Sequence, residues 1–333
     1  MSHPFHFHVL TQLEPFSSRV IAVAAQPQGT ILAVAIEQGF LILWDVQTSR
    51  VHHTFTLPAD VLTVAWSEDG SFLAASLQNH DVWLWTHDGI FVDRIHTTGN
   101  AAVAFQPGTD VLCLLTIDGV LQFFDILPLK MLSTFSLQRN DPLRDFYPDD
   151  YRYQLVFSPT GTQLATNCTP EEGTIQIWEI TSERSQILLS SHALLHIPLQ
   201  DVPVWVLSYH PSTAQLFALA DRTIYSWDTK TAQRRAKIAI PHAHPFTFCV
   251  SLADLVIIGD ATGIVYLWHI LTKKALAQFH PHPGSWEPDA NIMPLTALTW
   301  IPHEDILVTA GWIEEQRSVL PSSTVRLWKL ARS

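Results

Sequence analysis

The sequence predicts an all-β chain assembled from seven copies of one four-stranded unit, and three observations carry that prediction. A short pattern recurs seven times: Leu41-Ile42-Leu43-Trp44-Asp45, Val82-Trp83-Leu84-Trp85-Thr86, Leu121-Gln122-Phe123-Phe124-Asp125, Ile175-Gln176-Ile177-Trp178-Glu179, Ile224-Tyr225-Ser226-Trp227-Asp228, Val265-Tyr266-Leu267-Trp268-His269 and Val325-Arg326-Leu327-Trp328-Lys329. Each copy starts aliphatic, skips a position and continues apolar in all but the fifth, where Ser226 stands. That period of two belongs to a half-buried strand, not to a helix. The blade-ending aromatics Trp44, Trp85, Phe124, Trp178, Trp227, Trp268 and Trp328 are spaced by 41, 39, 54, 49, 41 and 60 residues, which fits a unit of about 40 residues with insertions. Around each pattern, further short apolar runs alternate with turn-forming residues.

Taken in order, repeat 1 reads Val20 to Ala25, a turn at Gln26-Pro27-Gln28-Gly29, Ile31 to Ile36, a turn at Gln38-Gly39, the strand ending in Trp44-Asp45, and Val51 to Leu57. Repeat 2 has Val61 to Trp66, Ser67-Glu68-Asp69-Gly70, Phe72 to Leu77, Asn79-His80, its Trp85 strand, and Phe91 to Ile95. Repeat 3 has Ala101 to Phe105, Gln106-Pro107-Gly108, Val111 to Ile117, Asp118-Gly119, its Phe124 strand, and Met131 to Leu137. In repeats 4, 5, 6 and 7 the first turn falls at Ser158-Pro159-Thr160-Gly161, His210-Pro211-Ser212, Leu252-Ala253-Asp254 and Trp300-Ile301-Pro302-His303-Glu304. Six residues before each terminal aromatic stand Gln38, Asn79, Asp118, Glu172, Asp221, Thr262 and Ser322, so a polar residue is expected in a tight turn of every copy.

Composition narrows the function. With 47% hydrophobic and 15% charged residues, the chain has material for a core and no disordered tract. A formal net charge of −12 argues against nucleic acid or an anionic membrane as a direct partner, because Lys and Arg supply most of that affinity. The first residues lack the features of a signal peptide, and no apolar run reaches the ~18 residues needed to cross a bilayer. The expected location is cytoplasmic. Cys113, Cys168 and Cys249 lie far apart in or beside strand-like segments, which favours free thiols.

The turn of Ser-Pro-Asp-Gly type, the turn aspartate and the aliphatic alternation ending in Trp-Asp together resemble the WD40-repeat family, across the whole chain. The resemblance implies a seven-bladed β-propeller with four antiparallel strands per blade, residues 1–333 forming one domain. Residues 1–19 would close the last blade, and the repeats would span about 20–60, 61–98, 99–150, 151–202, 203–244, 245–293 and 294–333. It also implies a network in which a His before the innermost strand bonds the turn Asp and helps fix the Trp. No Gly-His dipeptide occurs here. His96 stands at a similar distance before repeat 3, and His242 or His244 before repeat 6, so apolar packing carries more of the load. The indole N–H needs one partner, from the turn acid or a hydroxyl, and truncating such a buried Trp to Ala costs about 3 to 5 kcal/mol.

After Trp328 too few residues remain for an outer strand, and the spare alternating run Phe5 to Leu10 is expected to supply it. Extra residues sit at about 139–151, 192–203, 281–294 and 311–323, in connections that emerge on one rim of a propeller; the other rim is expected to keep short turns throughout. Insertions on one face often mark the binding face. Candidate partner-binding residues there are Arg139, Arg144, Phe146, Tyr147, Asp149, Asp150, Trp286, Glu287, Asp289, Trp312, Glu314 and Glu315, since Trp, Tyr and Arg are enriched at interface hot spots. Asp141, Asp145, Asp149, Asp150, Glu171, Glu172, Asp201, Glu287, Asp289, Glu314 and Glu315 outnumber Arg139, Arg144 and Arg317 on this rim, so a protein partner with a basic segment would be steered to it.

Motifs for chemistry are missing. The pairs His6/His8, His242/His244 and His280/His282 have a spacing zinc could use, but no Cys-x-x-Cys or His-Glu-x-x-His accompanies them, and no metal or cofactor is expected. No phosphate loop or nucleophile elbow is present. The expectation is a non-catalytic protein-interaction scaffold, a subunit of a larger complex; the alternative is a small-molecule or metal-dependent site at the channel mouth.

Overall fold

In the computed structural model of the chain, the structure describes residues 5–13, 16–137, 154–167, 174–183, 186–196, 204–240, 245–250, 255–260, 262–282, 295–301, 304–313 and 322–332. An N-terminal strand β1 (Phe5–Gln12) is followed by 27 more, gathered into seven sheets of four. Sheet 1 is β2 (Val20–Ala25), β3 (Ile31–Ile36), β4 (Phe40–Asp45) and β5 (Arg50–Thr56). Sheet 2 is β6 (Val61–Trp66), β7 (Phe72–Leu77), β8 (Asp81–Thr86) and β9 (Phe91–His96). Sheet 3 is β10 (Ala101–Phe105), β11 (Val111–Thr116), β12 (Val120–Ile126) and β13 (Leu129–Ser136). Sheet 4 is β14 (Leu155–Phe157), β15 (Gln163–Thr166), β16 (Thr174–Glu183) and β17 (Gln186–His196). Sheet 5 is β18 (Val204–Tyr209), β19 (Gln215–Ala220), β20 (Thr223–Asp228) and β21 (Gln233–Ala239). Sheet 6 is β22 (Pro245–Val250), β23 (Leu255–Asp260), β24 (Val265–His269) and β25 (Lys274–Phe279). Sheet 7 is β26 (Leu295–Ile301), β27 (Ile306–Ile313) and β28 (Ser322–Arg332), with β1 as its fourth strand. Seven four-stranded antiparallel sheets define the seven-bladed β-propeller class.

Two compact units divide the chain, residues 1–64 with 240–333 and residues 65–239. The first holds sheets 1, 6 and 7; the second holds sheets 3, 4 and 5 and most of sheet 2. In both, the core follows from strand position. The second strands β3, β7 and β23 are buried at every residue, which is why their sequences are apolar without alternation apart from Ser76 in β7 and Asp260 at the end of β23. Fourth strands such as β5 are largely exposed and correspondingly polar.

Sheet 7 is completed as expected. β1 pairs antiparallel with β28 from Phe5↔Arg332 to Gln12↔Arg326, with a bulge at Leu10. Phe7 stacks on Phe279 of β25 at 4.6 Å, and Leu13, fully buried, donates its N–H to the Val325 carbonyl at 2.9 Å. The Ser323 hydroxyl donates to the Ser18 carbonyl at 2.7 Å and accepts from the Val20 N–H at 3.1 Å, so the link from β1 into sheet 1 is also stitched to β28.

Two expectations are corrected. The end opposite the long connections does not keep short turns throughout: β16 and β17 pair continuously from Thr174↔His196 to Glu183↔Gln186, well past Trp178. Much of the extra length before repeat 5 is therefore a protruding hairpin at that end, not a loop at the other, and residues 192–196 belong to β17. The hairpin lies on sheet 3, where the Ser133 hydroxyl of β13 accepts the Ile187 N–H at 2.9 Å and donates to the Ile187 carbonyl at 2.8 Å. Ile180 and Ile187 join the apolar cluster that contains Leu137 and Phe123. Second, Ser322 is the first residue of β28 and not a turn residue. The β28 pairing with β27 confines the last insertion to residues 314–321.

Candidate interaction surface

In each sheet the connection from second to third strand and the connection leaving the fourth strand lie at one end, the end that receives the insertions at 139–151 and 281–294. Its frame is built from polar pins. Gly39 adopts φ +76°, a left-handed conformation where a Cβ would meet the Leu57 carbonyl oxygen at 2.5 Å, so glycine is required there. Its N–H is received by the Asp60 carboxylate at 2.8 Å. In sheet 3, Asp118 accepts from the Thr98 hydroxyl at 2.9 Å and from that of Thr116. Asp260, fully buried, accepts from the Thr262 and Ile264 N–H groups, the Thr262 hydroxyl and the Tyr266 hydroxyl.

Asn167 joins two sheets at this end. Its Oδ1 accepts the Gln154 N–H at 2.7 Å and its Nδ2 donates to the Val204 carbonyl at 2.9 Å, with the residue 6% exposed. Both ends of the amide are thereby spent, which leaves no exposed side chain for the glycan that the sequence Asn167-Cys168-Thr169 would invite. Directly after Val204 comes Trp205. It is the unpaired residue of a bulge between β18 and β19, where Val204↔Ala220 gives way to Val206↔Leu219, and the residue is 46% exposed. A bulge re-aims the side chain it carries.

Of the candidate residues named from sequence, Arg139, Arg144, Phe146, Tyr147, Asp149, Asp150, Trp286, Glu287, Asp289, Glu314 and Glu315 lie outside the described residues, as do the remaining acids of the proposed acidic rim. Trp312 lies in β27, paired with Ser323. Trp205 is the residue that sequence reading missed; its signal is a large aromatic second in a first strand whose neighbours in that strand are aliphatic.

The blade-ending aromatics behave as packing residues: Trp85, Phe124, Trp227 and Trp328 are buried and Trp44, Trp178 and Trp268 half-buried. The hydrogen-bond network around them differs from expectation. In sheet 7 the Trp328 Nε1 donates to the Thr309 hydroxyl at 2.9 Å, and His282 Nε2 bonds the same hydroxyl at 3.0 Å. His282 is 2% exposed; burial first, then the Arg326 charge, depress its pKa to about 3 in spite of the bond to Thr309. It stands in the network as a neutral ring, not as half of a zinc pair with the exposed His280. By contrast the buried indole N–H groups of Trp44, Trp178 and Trp268 find no acceptor among the described residues. His96 does not serve repeat 3: it ends β9 and bonds Asp81 of its own sheet at 2.9 Å. Burial pushes the Asp81 carboxyl up, but the His96 bond and charge hold it below the ordinary carboxylate range. His242 and His244 lie outside the described residues.

At the opposite end of the second unit, a cavity of about 380 Å³ opens between the first strands of sheets 2 to 5, lined by Trp66, Phe105, Phe157 and Tyr209 with Pro107, Pro159 and Pro211 at its rim. Its acid, Glu68, receives the Gly108 N–H at 2.7 Å. No group of three His, Cys, Asp or Glu side chains fit to hold a metal occurs among the described residues, and no described helix is long and apolar enough to cross a membrane. Cys113 is a buried free thiol whose pKa burial pushes up; Cys249 is free and half-buried.

The repeat, the sheets and the terminal aromatics together define a WD-type propeller. A family model described as "WD domain, G-beta repeat" matches residues 49–86, from the start of β5 through Trp85. The chain is 22% identical over 290 residues to the transcriptional corepressor LEUNIG_HOMOLOG of Arabidopsis thaliana, covering 83% of this chain and 33% of that protein. It is 25% identical over 171 residues to the protein transport protein SEC31 of Chaetomium globosum, covering 49% of this chain and 12% of that protein. The chain thus spans a third or less of the relatives it matches. These likenesses support a WD40-repeat family, whose propellers are commonly scaffolds for protein interaction.

Proposed function

We propose that the chain is a non-catalytic scaffold, residues 1–333 acting as one module in a larger cytoplasmic complex, and that it binds a protein partner at the end carrying the long connections. The observation that supports this best is Trp205: a tryptophan 46% exposed, next to the Val204 carbonyl that Asn167 holds. A rigid, exposed Trp is the residue type that dominates interface energetics. The acids of the neighbouring connections would favour a partner with a basic segment.

The test is affinity capture with the intact chain and with Trp205→Ala, Trp312→Ala, Trp286→Ala and Tyr147→Ala, using Leu188→Ala in the opposite hairpin as control. Loss of a partner with the first four and not with the control supports the reading. Capture that survives all four together refutes it. The cavity at the other end motivates the alternative, a small apolar ligand between the first strands of sheets 2 to 5; a fragment that raises the melting temperature of wild type but not of Ala104→Trp would favour it.

A further inference from the structure

Each sheet ends in an edge strand, and the edge of sheet 5 differs from the others in charge. β21 carries Arg234, Arg235 and Lys237 and no acid, whereas β1, β5, β9, β13, β17 and β25 hold at most one lysine or arginine each. Lys230, exposed in the turn that leads into β21, adds a fourth cation. All four belong to a chain whose formal net charge is −12, so the strand is opposite in sign to the molecule that bears it.

The cations are ordered by the strand beside them. β21 pairs with β20 at Tyr225↔Lys237 and Trp227↔Arg234, and Arg235 is the unpaired residue of the bulge between. Tyr225 and Trp227 stack at 6.0 Å and Lys237 Nζ lies 5.8 Å above the Tyr225 ring. Residues opposite one another share a face, so Arg234 and Lys237 stand on that face one strand period apart, about 7 Å. Asp228 does not neutralise them: its carboxylate takes Arg235 at 2.6 Å and the N–H groups of Lys230 and Thr231. Arg234 and Lys237 are exposed and have no carboxylate partner among the described residues. β21 also has no described strand on its far side, which leaves a row of backbone N–H and C=O groups open to pairing.

We propose that β21 is a docking edge for an acidic, extended segment of a partner protein, which adds to sheet 5 as a fifth strand and sets carboxylates at alternate positions opposite Arg234 and Lys237. Main-chain hydrogen bonds supply affinity in such an addition, and side chains at every second position supply selectivity. A bulge and a single cation already deter chance pairing at an edge, as at β9 and β13. A row of cations goes further, rejecting neutral and basic strands and admitting one of opposite sign. The strip is one strand wide, the width of a peptide chain, and the acidic remainder of the molecule repels a duplex or an anionic bilayer. The edge uses neither Trp205 nor the inserted connections, so loss of a partner from that end leaves it intact.

The test is fluorescence anisotropy of the full chain with a labelled, extended peptide that alternates glutamate with threonine, and with its counterpart carrying glutamine for glutamate. The glutamate peptide should bind saturably and the glutamine peptide should not. Affinity should fall about tenfold in the double variant Arg234→Gln/Lys237→Gln and hold in Lys274→Gln, the matching change on β25. Amide exchange in β21 should slow when the glutamate peptide is bound. Absence of binding, equal affinity of the two peptides or of the double variant, or unchanged exchange in β21 overturns the proposal. Binding of phosphatidylserine vesicles or single-stranded DNA that is lost in the same double variant also overturns it, since the strand would then be a general anion patch. Where the double variant does not fold, the two peptides and the exchange of wild-type β21 decide.

Discussion

Lowering the pH should unlock sheet 7 before ordinary acid unfolding, through His282. The ring is 2% exposed and its folded pKa is depressed to about 3, while an unfolded histidine titrates near ~6.5. The unfolded chain therefore takes up the proton first, and stability due to the neutral ring is complete above the unfolded value and lost as pH falls toward the folded one. The loss is about 2 kcal/mol at pH 5 and about 4 kcal/mol at pH 3, from about 1.4 kcal/mol per pH unit. Structurally, a charged ring at this site has lost its hydration, faces the Arg326 cation and competes for the hydroxyl that receives the Trp328 indole. Urea midpoints measured from pH 7 to pH 4 for wild type and His282→Gln provide the assay, since carboxylate titrations elsewhere are common to both. The variant should be the weaker protein at pH 7, and the gap should close by about 2 kcal/mol at pH 5. A gap independent of pH would refute the reasoning.

Three further outcomes follow from packing and hydrogen bonding. Thr309→Val removes the shared partner of Trp328 and His282 without opening a cavity and should cost about 2 to 4 kcal/mol, against about 1 kcal/mol for Thr309→Ser; thermal unfolding distinguishes them. Deleting residues 1–13 strips β28 of its partner, removes the Phe7–Phe279 stack and leaves the site of Leu13 empty, so the melting temperature should drop sharply; an unchanged value would contradict the pairing. Ser133→Ala leaves both Ile187 backbone groups without their partner, and amide exchange in β16 and β17 should quicken near the tip while the base of the hairpin stays protected.

The strands are legible because short apolar runs are bounded by turn-forming residues: β2, β3, β6, β7 and β10 begin and end at the residues expected from turn chemistry. What escaped sequence reading depends on contacts between distant segments. The His282, Thr309 and Trp328 network joins three elements with no fixed spacing, and His282 follows Pro281 where the family has Gly; the one hint is a lone hydroxyl, Thr309, in the run Ile306-Leu307-Val308. The β16–β17 hairpin departs from the sequence reading, which places the extra length at about 192–203, because cross-strand pairing carries the two strands out to Glu183 and Gln186. Trp205 was passed over because a strand pattern assigns its residues to faces and a bulge reassigns one of them. The rim candidates drawn from the inserted connections remain expectations from composition.

The pairing of β1 with β28 has a consequence for synthesis. Phe5 meets Arg332, so β1, once made, waits for β28 to be translated before it finds its place. The length-dependent entropy of closing a loop of that size is roughly 5 kcal/mol, a cost met only when sheet 7 forms as a unit. Until then β1 carries the exposed side chains of Val9 and Leu10 on an unpaired edge, a template for wrong pairing. A nascent chain is thus open to wrong pairing at β1 for as long as β28 has yet to be made.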